Sequence, residues 1–436
     1  MSTSTGTSTS TGTGTGTSVG TGLRVAITGA GLGGLTAAAS LHQRGLDVRV
    51  YERAATLREQ GVGMHVGPNG TRLLRRLGLG PALDRAAVRP EALEVRALHD
   101  GSLLTRQEMG AGWQERFRAP YLTVHRGDLH RMLASLVPPE RVCTGKELVR
   151  YEETVYGVVL HFADGSRDHA DVLVGADGVH SVVRGALAGR DEPVYSGNSA
   201  LRGVVDAADL PHLDPSLMYM YAGPTTRVLL YPVSGGRQFT YVVVTPAPPG
   251  ADESWTSAGE PADLEAVLAG CDPALGRLAH AAGEVRRWSL HDREPLPNWS
   301  TARTTLLGDA AHPMLPHHGQ GANQAIEDGV ALAICLEEAA PGADGIAAAL
   351  RRYEGTRRPH TTTVQLGSRT GRPPTKENSV NNNRNNNSNN NRNNNNVNAD
   401  SVSWILDNDV EANLNNNNAN NNNLNNNNRN NVNSAA

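Results

Sequence analysis

The fold is decided by residues 23–34, which read LRVAITGAGLGG. The apolar, β-branched run that ends at Thr28 is typical of a short buried strand, and glycines follow it immediately. Gly29, Gly31 and Gly34 have the GxGxxG spacing. In such a turn the first glycine allows a tight bend, the second lets a pyrophosphate approach the backbone, and the third brings the following helix against the strand. The segment therefore predicts a strand, a phosphate-binding turn and a helix.

A βαβ unit continues from this turn. An alanine-rich helix is predicted from about Gly33 to Arg44, and a second strand from Asp47 to Tyr51. Strands joined by a helical crossover run parallel, so we expect a parallel sheet with helices on its faces. Glu52 follows the second strand, where an acid accepts hydrogen bonds from an adenosine ribose. The sequence thus predicts a Rossmann-like, dinucleotide-binding α/β domain.

Two later apolar runs also end in glycine-containing turns. Residues 172–178, VLVGADG, place Asp177 after a strand, where it either reaches a ligand or only closes the strand through an Asx turn. Residues 305–309, TLLGD, end at Asp309, for which the alternatives are a ligand contact and a helix N-cap. The glycine-rich run 316–323, PHHGQGAN, leads into the next helix, whose pattern begins after Gly319. Free backbone N–H groups at such a helix start are suited to an electron-rich ring edge.

The middle of the chain is rich in predicted strands. Asp-Gly pairs at 100–101 and 164–165 predict hairpins, the second of them between strands at 158–162 and 168–174. Further strands from about 218 to 245 indicate an antiparallel sheet inserted into the α/β fold. We expect a disordered leader at 1–21, a dinucleotide-binding domain made of 22–90, 120–192 and 286–340, a substrate domain made of 91–119 and 193–285, a C-terminal helix at 341–372, and an Asn-rich low-complexity tail at 373–436.

Composition narrows the class of protein. The chain has 436 residues and a net charge of −4, which gives no general attraction to nucleic acid or to an anionic membrane. No apolar run reaches the roughly 18 residues of a membrane helix. Cys143, Cys271 and Cys335 are far apart and form no CxxC or metal-type pair. We expect a cytoplasmic protein that binds no metal, nucleic acid or membrane, and both a monomer and a homodimer stay open.

Taken together, the three glycine motifs resemble those of the single-component FAD-dependent aromatic hydroxylases, which combine a GxGxxG turn, a DG motif and a GD motif in this order. The resemblance extends from about Arg24 to Thr356. Residues 308–328 and 61–69 are especially similar to salicylate-hydroxylase-like and 6-hydroxynicotinate-3-monooxygenase-like members. The apolar island at 404–409 is similar to their C-terminal segment. The resemblance implies an FAD-binding domain with an inserted substrate sheet.

The resemblance also implies roles for residues at matching positions. Glu52 would hold the adenosine ribose, and Arg126 matches an arginine that contacts FAD. Asp177 would approach FAD and the route of the nicotinamide, and Asp309 would bind the ribityl chain of the flavin. The full set of expected cofactor residues is Gly29, Gly31, Gly34, Glu52, Arg126, Asp177, Gly178, Asp309, Gly319, Gly321, Ala322 and Asn323, of which the last four offer their backbone to the pyrimidine edge of the flavin.

The implied reaction is the hydroxylation of a small aromatic or heteroaromatic substrate, phenolic or carboxylate-bearing, with O₂ and electrons from NADH or NADPH. Reduced flavin and O₂ form a C4a-hydroperoxide in this family, so the cofactor carries the oxygen chemistry. The protein must exclude water and help to remove a phenol proton, for which histidine is suited. His317 and His65 match active-site histidines of the hydroxynicotinate-type enzymes and are the expected catalytic residues, followed by His318.

Some residues and some protein classes keep competing interpretations. His180 and His312 fall inside cofactor motifs and are interpreted as structural. Tyr221 and Tyr231 either form walls of the substrate pocket or simply pack in the inserted sheet. A disulfide reductase would need a cysteine pair that this chain lacks, and the tryptophan-rich signature of a halogenase is not found. An FAD enzyme acting on a non-aromatic substrate, a non-catalytic flavin-binding protein, and assembly through the Asn-rich tail are the alternatives.

Overall fold

The computed structural model describes residues 22–57, 61–189, 191–247 and 258–370, together with Val410 and Leu414. The expected leader at 1–21, the island at 404–409 and nearly all of the Asn-rich tail lie outside the described residues.

The strands, in chain order, are β1 (Arg24–Thr28), β2 (Asp47–Glu52), β3 (Gly63–Val66), β4 (Ala92–Ala97), β5 (Leu103–Glu108), β6 (Leu122–His125), β7 (Val142–Thr144), β8 (Leu148–Thr154), β9 (Gly157–Phe162), β10 (Arg167–Ala170), β11 (Val172–Gly175), β12 (Val194–Asp206), β13 (Leu217–Ala222), β14 (Arg227–Val233), β15 (Gln238–Pro246), β16 (Ala258–Gly259), β17 (Val285–Asp292) and β18 (Thr304–Leu306). The α-helices are α1 (Leu32–Gln43), α2 (Pro68–Leu74), α3 (Gly80–Ala86), α4 (Gly110–Phe117), α5 (Arg126–Ala134), α6 (Val182–Ala188), α7 (Pro261–Leu268), α8 (Pro273–Ala281), α9 (Gly321–Glu337) and α10 (Ala343–Thr370). Short 3₁₀ turns include Gly308–Ala310 and Pro316–His318.

The parallel sheet has the strand order β18-β11-β1-β2-β7. The expectation that the strand before Gly308 joins the same sheet as β1 is confirmed. In the register, Thr28 of β1 lies beside Gly175 of β11, which lies beside Leu306 of β18. Because the carboxyl ends of parallel strands share one edge, the three glycine motifs emerge side by side, where ligands bind in open α/β sheets.

Helices α1 and α9 pack closely and fix the positions of two of these motifs. A Cβ on Gly329 of α9 would lie 2.7 Å from the backbone nitrogen of Ala37 in α1. Only glycine permits this approach. Since each helix begins at a glycine motif, their contact holds the two helix starts together.

The inserted sheet has eight strands in the order β16-β17-β12-β15-β14-β13-β4-β5. The expectation of an antiparallel sheet is confirmed apart from one pair, because β4 and β13 run parallel. These two strands are far apart in sequence, so no hairpin forces them to be antiparallel. The strand expected at 168–174 is wrong as a single element. Asp171 separates β10, which pairs with β9, from β11, which enters the parallel sheet.

Side chains of the eight-stranded sheet alternate between two environments, as the two-residue period of a strand requires. Leu201, Leu230 and Tyr241 are buried on the face that α7 and α8 cover. On the opposite face, here called the open face, Met218, Tyr231 and Val233 are buried against α4. This face also carries partly buried side chains: Arg202, Met220, Leu229, Val242 and Val244. The first four form one row of cross-strand neighbours over β12, β15, β14 and β13.

The largest hydrophobic core surrounds the parallel sheet and α9. Val410 and Leu414, from the Asn-rich tail, are buried in this core. The backbone carbonyl of Leu414 accepts a hydrogen bond from Arg352 of α10 at 3.5 Å. These two residues therefore pack on the folded domain. Among the described helices, none is long and apolar enough to cross a membrane.

Candidate active site

The GxGxxG turn has the shape of a phosphate cradle. Gly29 has φ 97°. A Cβ on Gly29 would lie 2.3 Å from the carbonyl oxygen of Ala176, and one on Gly34 would lie 2.0 Å from the carbonyl oxygen of Gly29. At Gly31, by contrast, nothing lies within 4 Å of the Cβ position. The turn is closed where strand meets helix and open where a pyrophosphate would approach the uncapped start of α1.

Glu52 ties this turn to the end of β2. Its Oε2 accepts the backbone N–H of Ala30 at 2.9 Å, and its Oε1 accepts that of Ala54 at 2.9 Å. The carboxylate therefore lies beside the glycine turn. Each of its oxygens has a further lone pair, so the ribose contact stays a prediction with a suitable acceptor.

Asp177 of the DG motif has structural contacts. Its carboxylate accepts the N–H groups of Val182 at 2.8 Å and Val183 at 3.4 Å, and it bonds the hydroxyl of Ser181. Burial raises the pKa of Asp177, and these hydrogen bonds oppose the rise. The carboxylate thus stabilises the start of α6, and its approach to FAD stays a prediction. Gly178, at φ 77°, has open space at its Cβ position.

Asp309 of the GD motif, Arg126 and the start of α9 lie near one another. Burial raises the pKa of Asp309, and the charge of Arg126 opposes that rise. Arg126 begins α5 and is exposed. A Cβ on Gly321 would lie 3.9 Å from Oδ1 of Asp309. The cleft at Asp309 is also lined by Val179, Trp288, Pro313, Met314 and Pro316.

The start of α9 offers backbone N–H groups. Its N-cap residue, Gln320, makes no capping hydrogen bond with its side chain, and the preceding Gly319 has φ 61°. The first N–H groups of a helix have no partner inside the helix. The side chain of Asn323 is already used: Oδ1 accepts the N–H of Gly67 at 3.0 Å, and Nδ2 donates to the carbonyls of Gly319 at 2.9 Å and His65 at 3.2 Å. Asn323 therefore fastens the loop after β3 to α9.

A buried ionic cluster lies behind the GD motif and was missed from the sequence. Arg357 donates to Glu327 at 2.5 Å and to Asp328 at 2.7 Å. Asp328 also accepts the N–H of Gly308 at 2.9 Å and bonds Nε2 of His312 at 2.6 Å. Burial opposes the ionisation of Asp328, yet His312 and Arg357 lower its pKa to about 2. The cluster holds the GD turn in place, and His312 has the expected structural role.

His65 lies between two tyrosines. Its Nδ1 is 2.7 Å from the hydroxyl of Tyr121, and its ring centroid is 4.2 Å from that of Tyr231. Its Nε2 is buried without a hydrogen-bond partner in the described chain. Burial, with a contribution from Arg202, lowers the pKa of His65 to about 4. The imidazole is therefore neutral near pH 7.

His317 is oriented by α10. On the turn Pro316–His318, its Nδ1 lies 2.8 Å from the carbonyl oxygen of Ser368. A carbonyl only accepts, so Nδ1 carries the proton and Nε2 is left as an acceptor in the neutral ring. Burial lowers the pKa of His317, which keeps the ring neutral. Neighbouring Leu315 packs with Trp288 against the open face.

The two candidate tyrosines lie on opposite faces of the eight-stranded sheet. Tyr231 belongs to the face of His65, and its hydroxyl donates to the carbonyl of Gly63 at 2.7 Å. Tyr221 is buried in the core on the covered face, with side chains of α7 and α8. The pocket-wall interpretation is therefore wrong for Tyr221, because strand register places it away from His65.

Sequence reasoning did not single out Tyr121, Arg202 or Trp288. Tyr121 bonds His65, and Arg202 lies over the ring of Trp288 with 4.5 Å between guanidinium carbon and ring centroid. A signal for Arg202 did exist, because it is the charged residue within the alternating run 199–205, SALRGVV. Its face could not be assigned without the register of β12.

Comparison with known proteins agrees with this geometry. Residues 22–366 match the family model described as the FAD binding domain. The chain is 43% identical over 349 residues to 3-amino-4-hydroxybenzoate 2-monooxygenase of Streptomyces cremeus, covering 80% of this chain and 86% of that protein. It is 39% identical over 349 residues to 6-hydroxynicotinate 3-monooxygenase of Pseudomonas fluorescens, covering 78% of this chain and 89% of the relative.

A solved structure shows the same fold. The crystal structure of Klebsiella pneumoniae HpxO with FAD and uric acid matches with a TM-score of 0.74 and 31% identity, covering 80% of this chain and 87% of that chain. The open cradle at Gly31 and the uncapped starts of α1 and α9 fit a bound dinucleotide. The chain therefore belongs to the family of FAD-dependent aromatic monooxygenases, and it is an FAD-binding enzyme.

Proposed function

We propose that this enzyme uses NADH or NADPH and O₂ to hydroxylate a small aromatic acid that carries a ring hydroxyl. One observation carries the proposal: His65 contacts Tyr231 of the open face and lies 3.4 Å from the Cβ position of Gly319, and His317 lies two residues before Gly319 on the turn that leads into α9. Burial lowers the pKa of both histidines, so both rings are neutral near pH 7. The two relatives compared above are named for substrates that bear both a carboxylate and a ring hydroxyl. An apolar wall beside neutral bases suits such a ring.

FAD would be held by the residues of the three motifs. The pyrophosphate would lie at Gly31, the adenosine ribose at Glu52, and the ribityl chain near Asp309 and Arg126. The backbone from Gly319 to Asn323 would face the pyrimidine edge of the flavin. When bound and reduced by the nicotinamide, FAD supplies the activation of O₂.

His317 would accept the proton of the substrate hydroxyl. Its Nδ1 proton is directed at Ser368, so Nε2 is the atom that can receive a proton. Deprotonation makes the ring more electron-rich and therefore a better acceptor of an electrophilic oxygen. A general base is most effective when its pKa lies near the pH at which the enzyme operates. His65, whose Nε2 has no partner in the described chain, is the second candidate for this role.

The test is product formation by purified, FAD-loaded protein with a panel of hydroxylated benzoates and hydroxypyridine carboxylates. We expect faster NAD(P)H oxidation and a hydroxylated product with at least one acid of the panel. The Gly31→Val variant is the matched control, since a valine side chain would fill the open cradle and prevent FAD loading. NAD(P)H oxidation that no acid accelerates, with only H₂O₂ as product, would contradict the proposal.

A further inference from the structure

One row of side chains on the open face is apolar and ends in an arginine. Met220, Leu229 and Val242 are directly paired across three strands, and Arg202 of β12 pairs with Val242 at the end of the row. All four side chains are partly buried. Paired residues point to the same side of a sheet, so the guanidinium and the apolar side chains share one surface.

The contacts of Arg202 within the described residues are with neutral groups. Its Nη2 donates to the carbonyl of Gly63 at 3.2 Å, and its guanidinium lies over the ring of Trp288. Its Nε is buried and has no acceptor. No carboxylate of the described residues forms an ion pair with Arg202. Burial lowers the pKa of Arg202, the neighbouring hydroxyl of Tyr231 opposes that change, and the charge of Arg126 acts in the same direction as burial.

A partly buried cation without a counter-ion has lost part of its hydration, which costs free energy unless something compensates the charge. Its titratable neighbours Tyr231 and His65 supply no negative charge near pH 7, because burial raises the pKa of Tyr231 and lowers the pKa of His65. An anionic group of a ligand would supply it. The planar guanidinium presents parallel N–H donors that match the two oxygens of a carboxylate.

The surroundings of Arg202 connect it to the proposed bases. Arg202 and the hydroxyl of Tyr231 donate to the same acceptor, the carbonyl of Gly63. Tyr231 in turn contacts the ring of His65. A carboxylate held by Arg202 would therefore place the attached ring on the apolar row, beside His65.

We propose that Arg202 binds the carboxylate of the aromatic substrate and that this contact makes the enzyme select aromatic acids over neutral phenols. The proposal rests on the proposed function and deepens it by assigning a specificity-determining residue. Arg227 provides a comparison, because it lies on the same face in the neighbouring cross-strand row and is also partly buried.

The experiment measures equilibrium binding to oxidised, FAD-loaded protein through the perturbation of the flavin absorbance, without turnover. The probes are two matched pairs: 6-hydroxynicotinate with 6-hydroxynicotinamide, and 3-amino-4-hydroxybenzoate with its carboxamide. Loss of one partner of a desolvated charge pair corresponds to roughly 30-fold or more in affinity. We therefore expect at least one acid to bind wild type that much more tightly than its amide.

The variants separate Arg202 from its surroundings. Arg202→Met should bind acid and amide about equally, Arg202→Lys should keep part of the preference, and Arg227→Met should keep most of it. Three results would overturn the proposal: no acid preference in wild type, an unchanged preference in Arg202→Met, or loss of bound flavin in that variant. Flavin loss would assign Arg202 to the cofactor instead.

The outcome is separable from that of the proposed function. Acid-selective binding without any hydroxylated product would contradict the function and leave the assignment of Arg202 standing. Product formation without acid preference would support the proposed function and contradict the assignment of Arg202.

Discussion

Two arginines of this protein, Arg357 in the core and the partly buried Arg202, differ in how their charge is compensated. Arg357 in α10 is 1% exposed and bonds Glu327 and Asp328 as well as the side chain of Gln324. Arg202 on the open face has a carbonyl, an aromatic ring and no carboxylate of the described residues as neighbours. Arg357, which is paired with two carboxylates, connects α10 to α9 and supports the fold. Arg202, which lies beside an apolar surface without a carboxylate partner, is the arginine that we propose binds the substrate.

The largest effect expected from this comparison is on stability. Arg357→Met removes the cation that compensates two buried carboxylates, Glu327 and Asp328, so the free energy of unfolding should fall by about 3–5 kcal/mol. Denaturant unfolding of the FAD-loaded protein measures it. Arg358→Met is the matched control. Arg358 is the next residue along α10 and forms a partly exposed ion pair with Glu354, so its replacement should cost no more than about 1 kcal/mol.

Arg202→Met completes this series. Arg202 is partly buried and has no carboxylate partner that its removal would leave unpaired, so replacing it by an apolar side chain of similar length should change the free energy of unfolding by no more than about 1 kcal/mol. A loss equal to that of Arg357→Met would remove the distinction between the two arginines.

The two faces of the eight-stranded sheet show the same contrast between a buried and a partly buried position, here for uncharged side chains. Leu230 is buried beneath α7 and α8, and its chain neighbour Leu229 is partly buried on the open face. Leu230→Ala should lower the free energy of unfolding by about 2–5 kcal/mol. Leu229→Ala should cost clearly less and instead weaken binding of the aromatic acid. Equal losses of stability would show that the open face is packed rather than available.

A smaller effect concerns pH and His65. Because burial lowers the pKa of His65 to about 4, below its ordinary value, the unfolded chain binds the proton first. The contribution of His65 to the free energy of unfolding is therefore fully present above about pH 6.5, and it is lost as the pH falls toward 4. Between pH 7 and 5 the loss from His65 is about 2 kcal/mol.

His65→Gln removes the titrating group, so its stability should fall less than that of wild type between pH 7 and 5. Denaturation midpoints at the two pH values give the comparison. The exposed His42→Gln serves as the control and should keep the wild-type pH dependence. If His65→Gln and wild type lose the same stability on acidification, His65 is not buried as a neutral ring.

The sequence was sufficient for the features that local pattern controls. The run 23–34 predicted the first strand, the turn and the helix, because the glycine positions and the apolar run lie within one stretch. The meeting of the motifs at Gly29, Gly175 and Gly308 followed from the rule that parallel strands share an edge. Family resemblance supplied the cofactor and the chemistry.

Features that depend on long-range register were not predictable. Tyr221 and Tyr231 look alike in sequence, but the pairing of β13 and β14 places them on opposite faces. From the sequence, the role of Asp177 could be a ligand contact or a local turn. Only the structure shows its hydrogen bonds to the start of α6. The contacts of Arg357 join residues about thirty positions apart, and no local pattern indicates them.

The most direct test of the account is the amount of hydroxylated product formed per NAD(P)H consumed, in wild type and in His317→Ala, with the best acid of the panel. Wild type should convert most of its NAD(P)H into product. His317→Ala should keep its FAD, because the flavin contacts expected there come from backbone groups, and it should still oxidise NAD(P)H. Its hydroxylation should slow by roughly 10²–10⁴-fold, with H₂O₂ formed instead. Unchanged rate and yield in His317→Ala would contradict the assignment of the base, and the absence of product from wild type with every acid would contradict the proposed reaction.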